Sequence, residues 1–158
     1  GLIEAYAQLP VDAPPLVLAG NRGWLFEETM QQITRLNLGD RVLWREKIPQ
    51  ADLPGLYSGA SALITPSFYE GFGLPALEAM ACGTVPIVSD RGSLPEVVGD
   101  VGLKVNPDDT AAIAQAINHA LSDSVWRDQQ RAAGLRQAAT FQWEATARTV
   151  LSVYQALL

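Results

Sequence analysis

Pro66-Ser67-Phe68-Tyr69-Glu70-Gly71-Phe72-Gly73-Leu74-Pro75-Ala76-Leu77-Glu78-Ala79-Met80-Ala81-Cys82-Gly83 is the stretch that decides how this chain folds. Just before it, residues 61–65 (Ser-Ala-Leu-Ile-Thr) form a short apolar run of the kind a buried strand uses. Pro66 ends that run because proline has no N–H to continue a ladder. Glu70 is therefore expected on the loop leaving a strand. After Gly71 and Gly73, Pro75 suits the first position of a helix, where its missing N–H costs nothing, and Leu74, Leu77, Met80 and Ala81 follow at helical spacing. Glu78 then lies about one turn inside that helix.

A helix that opens with small residues points backbone N–H groups and the positive end of its dipole at whatever lies above the loop, an arrangement that suits a diphosphate. A carboxylate on each side would repel an anion alone, but each glutamate can accept hydrogen bonds from hydroxyls. A ligand with a diphosphate between two sets of hydroxyls, such as a nucleoside diphosphate sugar, matches this pattern.

The same stretch, continued by Thr84-Val85-Pro86-Ile87-Val88-Ser89 and Ser93-Leu94-Pro95-Glu96-Val97-Val98-Gly99-Asp100, closely resembles the donor half of group 1 glycosyltransferases over nearly the whole chain. These are retaining enzymes of the two-lobed GT-B fold. The resemblance implies that Glu70 faces the transferred sugar, that Glu78 binds the ribose hydroxyls, and that Gly71, Phe72, Gly73 and Leu74 lie along the sugar and diphosphate. It implies that the loop at Lys47 and Ile48 lies beside the nucleotide base. It also implies an acceptor-binding lobe, a first strand of this lobe and a basic Arg/Lys pair upstream of residue 1. A lone glutamate pair at this spacing would say little; the strand, the Pro-Ser, the Glu-Gly-Phe-Gly-Leu-Pro and the Leu-Glu-Ala-Met-Ala-Cys-Gly together are specific.

Working outward, 158 residues fit one domain that buries roughly 70% of its unfolded surface. A net charge of −6 argues against a broad nucleic-acid footprint, and the charges are spread rather than blocked. Cys82 is the only cysteine, which rules out an intrachain disulfide and a cysteine-based metal site and fits a reducing cytoplasm. No apolar stretch approaches the ~18 residues of a membrane span, and no signal peptide is visible. The chain opens at Gly1 inside an amphipathic helix with Leu2, Ile3, Ala5, Tyr6 and Leu9 on one face, which reads as a piece of something longer.

Elsewhere strands and helices alternate. Residues 16–20 read as a buried parallel strand, 24–36 as a helix with Leu25, Met30, Ile33 and Leu36 apolar, 41–44 as a strand and 52–60 as a short helix with Leu53, Leu56 and Tyr57 inward. Beyond the central stretch, 85–88 is a strand, 94–98 a helical turn and 103–105 a last strand. Asp108 or Asp109 caps a helix over 110–121, a second follows Ser124 over 125–140, and the tail 143–158 is a third, with Ala147, Val150, Leu151, Tyr154 and Leu157 along one face. The alternation predicts an α/β doubly wound parallel sheet, Rossmann-like, with the ligand crevice at the carboxyl ends of the strands. Asn21-Arg22, Lys47-Ile48 and residues 65–73 are the loops expected to converge there.

Arg22 and Lys47 each read as a phosphate partner or an exposed charge, with Arg22 slightly favoured because it directly follows a strand; Arg91, in the loop after 85–88, is a weaker candidate. His119 reads as a surface residue, Cys82 as a small hydrophobe, and Trp143 as a core anchor rather than a sugar platform. The resemblance thus implies a donor lobe that binds a GDP-, UDP- or ADP-sugar, with no cofactor and no metal, in a cytoplasmic enzyme transferring a hexose such as mannose or glucose. A glycan, lipid or polysaccharide acceptor is held by the other lobe, without nucleic acid, and peripheral membrane association of the full-length protein is compatible with this. The alternatives are a nucleotide-sugar epimerase of the same fold and a non-catalytic nucleotide-binding scaffold.

Overall fold

A computed structural model describes residues 1–23 and 26–157 of the chain. In order it contains α1 (Leu2–Ala7), β1 (Leu16–Ala19), α2 (Phe26–Arg35), β2 (Val42–Arg45), a 3-10 turn (Gln50–Asp52) leading into α3 (Leu53–Gly59), and β3 (Ala62–Thr65). There follow α4 (Leu74–Ala81), β4 (Val85–Ser89), α5 (Leu94–Val98), β5 (Leu103–Val105), α6 (Thr110–Ser122), α7 (Ser124–Ala138) and α8 (Trp143–Ala156). The helix positions expected at Trp24 and Leu25, and the last residue of the expected tail helix, Leu158, lie outside the described residues.

Every strand pairing is parallel, as intervening helices require. β1 pairs with β2, and β4 lies between β3 and β5. All five residues of β4 are buried because helices cover both its faces. Successive side chains of a strand point to opposite sides. Ile87 accordingly packs into a cluster with Ile3 and Tyr6 of α1 and Ile113 and Ile117 of α6, while its neighbour Val88 packs with Met80 of α4, Leu94 and Val98 of α5, and Ala138 of α7. Full burial of an aliphatic side chain contributes about 1.5–3 kcal/mol, so these two clusters hold the layers together. The doubly wound arrangement predicted from the alternation is the one observed.

Several local expectations are corrected. β1 is not buried on both faces: Leu16 is buried and Leu18 half-buried against the first cluster, but Val17 and Ala19 are exposed to a cleft between β1 and β3. The helix after Gly73 begins at Leu74, one residue before Pro75, and its buried stripe is Ala76, Ala79 and Met80; Leu74 is 50% exposed and Ala81 exposed. Between the two capping candidates, Asp109 caps α6, accepting from the Ala112 amide at 2.9 Å. The helix expected over 125–140 runs from Ser124 to Ala138 and is capped by Asp123, which accepts from the Trp126 amide at 2.8 Å. His119 is half-buried rather than a free surface residue, its ring 4.5 Å from that of Trp126. Trp143 is no core anchor: it is 82% exposed, and α8 buries no residue.

Candidate functional site

The loop from β3 to α4 is held by contacts to Ser93, Leu94 and Phe141, which are distant in sequence, and by one within the loop itself. Gly73 sits at φ 98°, in the left-handed region, and a Cβ there would come within 2.6 Å of Leu94 Cδ2. Only glycine fits, so the loop lies directly on α5. Ser93, at the start of α5, offers its hydroxyl to the carbonyl oxygens of Glu70 and Phe72, each 2.9 Å away, a single proton shared between two acceptors. The Ser67 hydroxyl donates to Glu70 Oε1 at 3.0 Å, which fixes the half-buried carboxylate. Phe72 meets Phe141 edge to face with centroids 5.9 Å apart, and Gly71, Phe72 and Leu74 keep an exposed surface. In the first turn of α4 the Ala76 and Leu77 amides bond back to the Gly73 carbonyl and Pro75 has no N–H, so this helix start offers a ligand fewer donors than an uncapped one.

Glu78 is exposed on α4, on the face opposite the buried Ala76, Ala79 and Met80. Its Oε2 accepts a hydrogen bond from the Tyr57 hydroxyl at 2.9 Å. Tyr57 is half-buried at the end of α3, and its carbonyl oxygen accepts from the hydroxyl of Thr84, a residue only 1% exposed in the turn after α4. Burial, and then the neighbouring Glu78 carboxylate, raise the Tyr57 phenol well above its ordinary value, so it is a proton donor across the whole physiological range.

A cleft of about 1090 Å³ runs between β1 and β3. At the carboxyl ends of the strands it is lined by Asn21, Lys47, Ile48 and Thr65, and on the helical side by Tyr57 and Pro75. Each of the three expected loops therefore sends at least one residue to this cleft, but Glu70, residues 71–74 and Glu78 are not part of its wall, and Glu78 is joined to it only through Tyr57. Lys47 adopts φ 51°, an uncommon conformation for a non-glycine residue and one that tends to occur where the chain is constrained by function.

Arg22 does not line the cleft. Its backbone N–H and Nε both donate to Glu46 Oε1, at 3.2 and 3.1 Å, and its guanidinium lies 4.6 Å from the Phe26 ring centroid. Arg91 is drawn off in the same way, by Asp108 at 2.6 Å and Asn106 at 3.1 Å. Both arginines thus already have a carboxylate partner, though exposed pairs of this kind are worth little and exchange easily. Cys82 is a half-buried free thiol at the end of α4. Among the described residues, no three His, Cys, Asp or Glu side chains are grouped to hold a metal ion.

Tyr57, Ser67, Thr84 and Ser93 are the residues that sequence reading did not assign to the site. Ser67 was within reach, since a serine three positions before a carboxylate in a turn commonly bonds it. Tyr57 and Ser93 were not, because nothing in the spacing pairs 57 with 78 or 93 with 70.

The chain matches the family described as Glycosyl transferases group 1 over residues 1–139. It is 42% identical to O-antigen chain mannosyltransferase B of Escherichia coli over 160 residues, covering 99% of this chain and 42% of that protein. It is 39% identical over 122 residues to a D-inositol 3-phosphate glycosyltransferase of Frankia alni, covering 76% of this chain and 30% of the other. Among solved structures, sucrose-phosphate synthase from Thermosynechococcus elongatus superposes with a TM-score of 0.89 at 36% identity, covering 99% of this chain and 41% of that one. HepE of Anabaena in complex with UDP-glucose gives 0.87 at 27%, covering 99% and 44%. The chain spans about two fifths of the length of these end-to-end matches, and only 20% of that of a serotype-specific mannosyltransferase, WbdA of Escherichia coli, to which it is 34% identical over 99% of this chain.

Proposed function

The chain belongs to the group 1 glycosyl transferases, and we propose that it is the donor lobe of a retaining hexosyltransferase that binds a nucleoside diphosphate sugar. The observation that carries this reading is the pair of tethered carboxylates at one helix start: Glu70, held by Ser67, lies on the loop before α4, and Glu78, held by Tyr57, lies on α4 itself. Tyr57 also lines the crevice at the strand ends, where ligands of doubly wound sheets bind. In this reading Glu78 accepts the ribose hydroxyls, Glu70 faces the transferred sugar, and residues 71–74 run along the sugar and diphosphate. Lys47 and Ile48 lie beside the base. Arg22 serves the diphosphate only by exchanging Glu46 for it.

The protein's share of the chemistry is positioning and charge stabilisation of the leaving diphosphate. That diphosphate helps to deprotonate the acceptor on the same face of the sugar, so the paired acid and base of a glycosidase are not needed. The scheme calls for no metal. Mannose is favoured as the hexose by the O-antigen relative and glucose by the UDP-glucose complex of HepE. The acceptor is a glycan, lipid or polysaccharide held by a second lobe, and the reaction is cytoplasmic. No helix among the described residues is long and apolar enough to cross a membrane.

Calorimetric titration of the chain with GDP, UDP and ADP, repeated on Glu78→Gln, tests the reading. Binding of one nucleotide that the variant loses supports it and identifies the base. Binding unaffected by the variant removes Glu78 from the site. Nucleotide binding without sugar transfer in a protein that carries both lobes would favour the scaffold alternative, and interconversion of sugar epimers the other one.

A further inference from the structure

We propose that Tyr57 is a positioning residue for Glu78, presenting its carboxylate to the paired hydroxyls of a ribose and thereby setting the preference for ribo- over 2′-deoxyribonucleotides. The inference rests on the donor-lobe reading above and adds to it a residue outside the sequence motif.

An exposed glutamate on a helix samples several rotamers, and fixing one costs entropy when a ligand binds. Here one oxygen of Glu78 is already held, by a hydroxyl on a different helix at 2.9 Å. The donor is itself held: α3 is tied to the turn after α4 through the buried Thr84 hydroxyl and the Tyr57 carbonyl. Tyr57 forms part of the crevice wall alongside Lys47, Ile48 and Thr65. The residue that holds the carboxylate is thus itself one that lines the crevice.

A carboxylate offers about four lone-pair positions, so one donor from Tyr57 leaves capacity for two ligand hydroxyls. Burial, and then the neighbouring carboxylate, make the phenol hold its proton more firmly, so Tyr57 stays a donor to Glu78. A pre-oriented carboxylate gains most from a ligand that presents two hydroxyls at fixed spacing, because both bonds form without further ordering. Removing one ligand hydroxyl forfeits part of that gain, and removing Tyr57 forfeits it as well. The two losses are therefore coupled.

The test measures Kd for GDP, UDP and ADP and for their 2′-deoxy counterparts on the wild-type chain, Tyr57→Phe, Glu78→Gln and the double variant. Phenylalanine keeps the ring packing, and thermal unfolding of each variant checks that the fold is intact. For the nucleotide that binds, the expected result is a preference of about tenfold or more for the ribo form in the wild type. Tyr57→Phe should weaken ribonucleotide binding about 3–10-fold, leave the 2′-deoxy form nearly unchanged, and add nothing on top of Glu78→Gln. A purely structural role would weaken both forms equally and overturn the proposal. So would tighter binding by Tyr57→Phe, which would make Tyr57 a competitor for Glu78. If Glu78→Gln itself has no effect, or the wild type binds none of the six, the donor-lobe reading fails and this inference falls with it.

Discussion

Leu94 Cδ2 stands 2.6 Å from where a Cβ on Gly73 would be, so the turn that opens α4 rests on the first residue of α5 with no space between them. Leu94 is wholly buried, so its side chain can yield only by repacking against its neighbours in the core. Gly73→Ala combines left-handed backbone strain with overpacking and is expected to lower stability by about 2–4 kcal/mol. Urea unfolding of the variant measures it; a loss under about 0.5 kcal/mol would show that the loop lifts off α5 at little cost.

The two glutamates should separate by assay. Glu78→Ala is expected to weaken nucleoside diphosphate binding by about 1.5–3 kcal/mol, the usual worth of hydrogen bonds to a charged group. Glu70→Gln should leave that affinity near the wild-type value and reduce sugar transfer, measured in a protein that carries both lobes. Equal losses of nucleotide affinity in the two variants would contradict the division of roles.

Ionisation of Tyr57 is expected to tie stability to alkaline pH. Its phenol is raised above the ordinary value of 10.0 in the folded chain, by burial first and by Glu78 second. The unfolded chain therefore loses that proton first as the pH rises. The contribution is complete below the unfolded value and is lost as the pH climbs from there through the folded value. Unfolding free energies at about pH 9 and pH 11 should fall more for the wild type than for Tyr57→Phe. The same slope in both would place the phenol in an ordinary environment.

At the start of α7 the two neighbouring candidates predict different outcomes. Asp123→Ala removes the side chain that accepts from the Trp126 amide and should cost about 1 kcal/mol. Ser124→Ala lies inside the helix and should be close to neutral. Chemical denaturation of the two variants distinguishes them, and a reversed order would mean that the cap lies one residue later.

Residues 61–83 alone were enough for the strand, the glycine turn and the helix, because each depends on local chemistry: an apolar run, a proline that cannot pair, glycines that can turn, and a 3.6-residue stripe. The alternation of such units also determined the parallel, doubly wound arrangement, since parallel neighbours need a crossover. Glu70, Glu78, Lys47 and Ile48 stood out as candidates in the sequence, and of these Lys47 and Ile48 line the crevice. What the sequence did not contain was which residues hold them. Tyr57 reaches Glu78 across 21 positions, and Ser93 reaches the carbonyls of Glu70 and Phe72 across 23 and 21. Tertiary structure alone decided that Arg22 and Arg91 are partnered by Glu46 and Asp108, that Trp143 lies in solvent, and that Val17 faces a cleft. Local propensity acts over a turn or a strand, whereas these contacts depend on which surfaces the packed layers bring within about 3 Å of one another, a distance no spacing along the chain encodes.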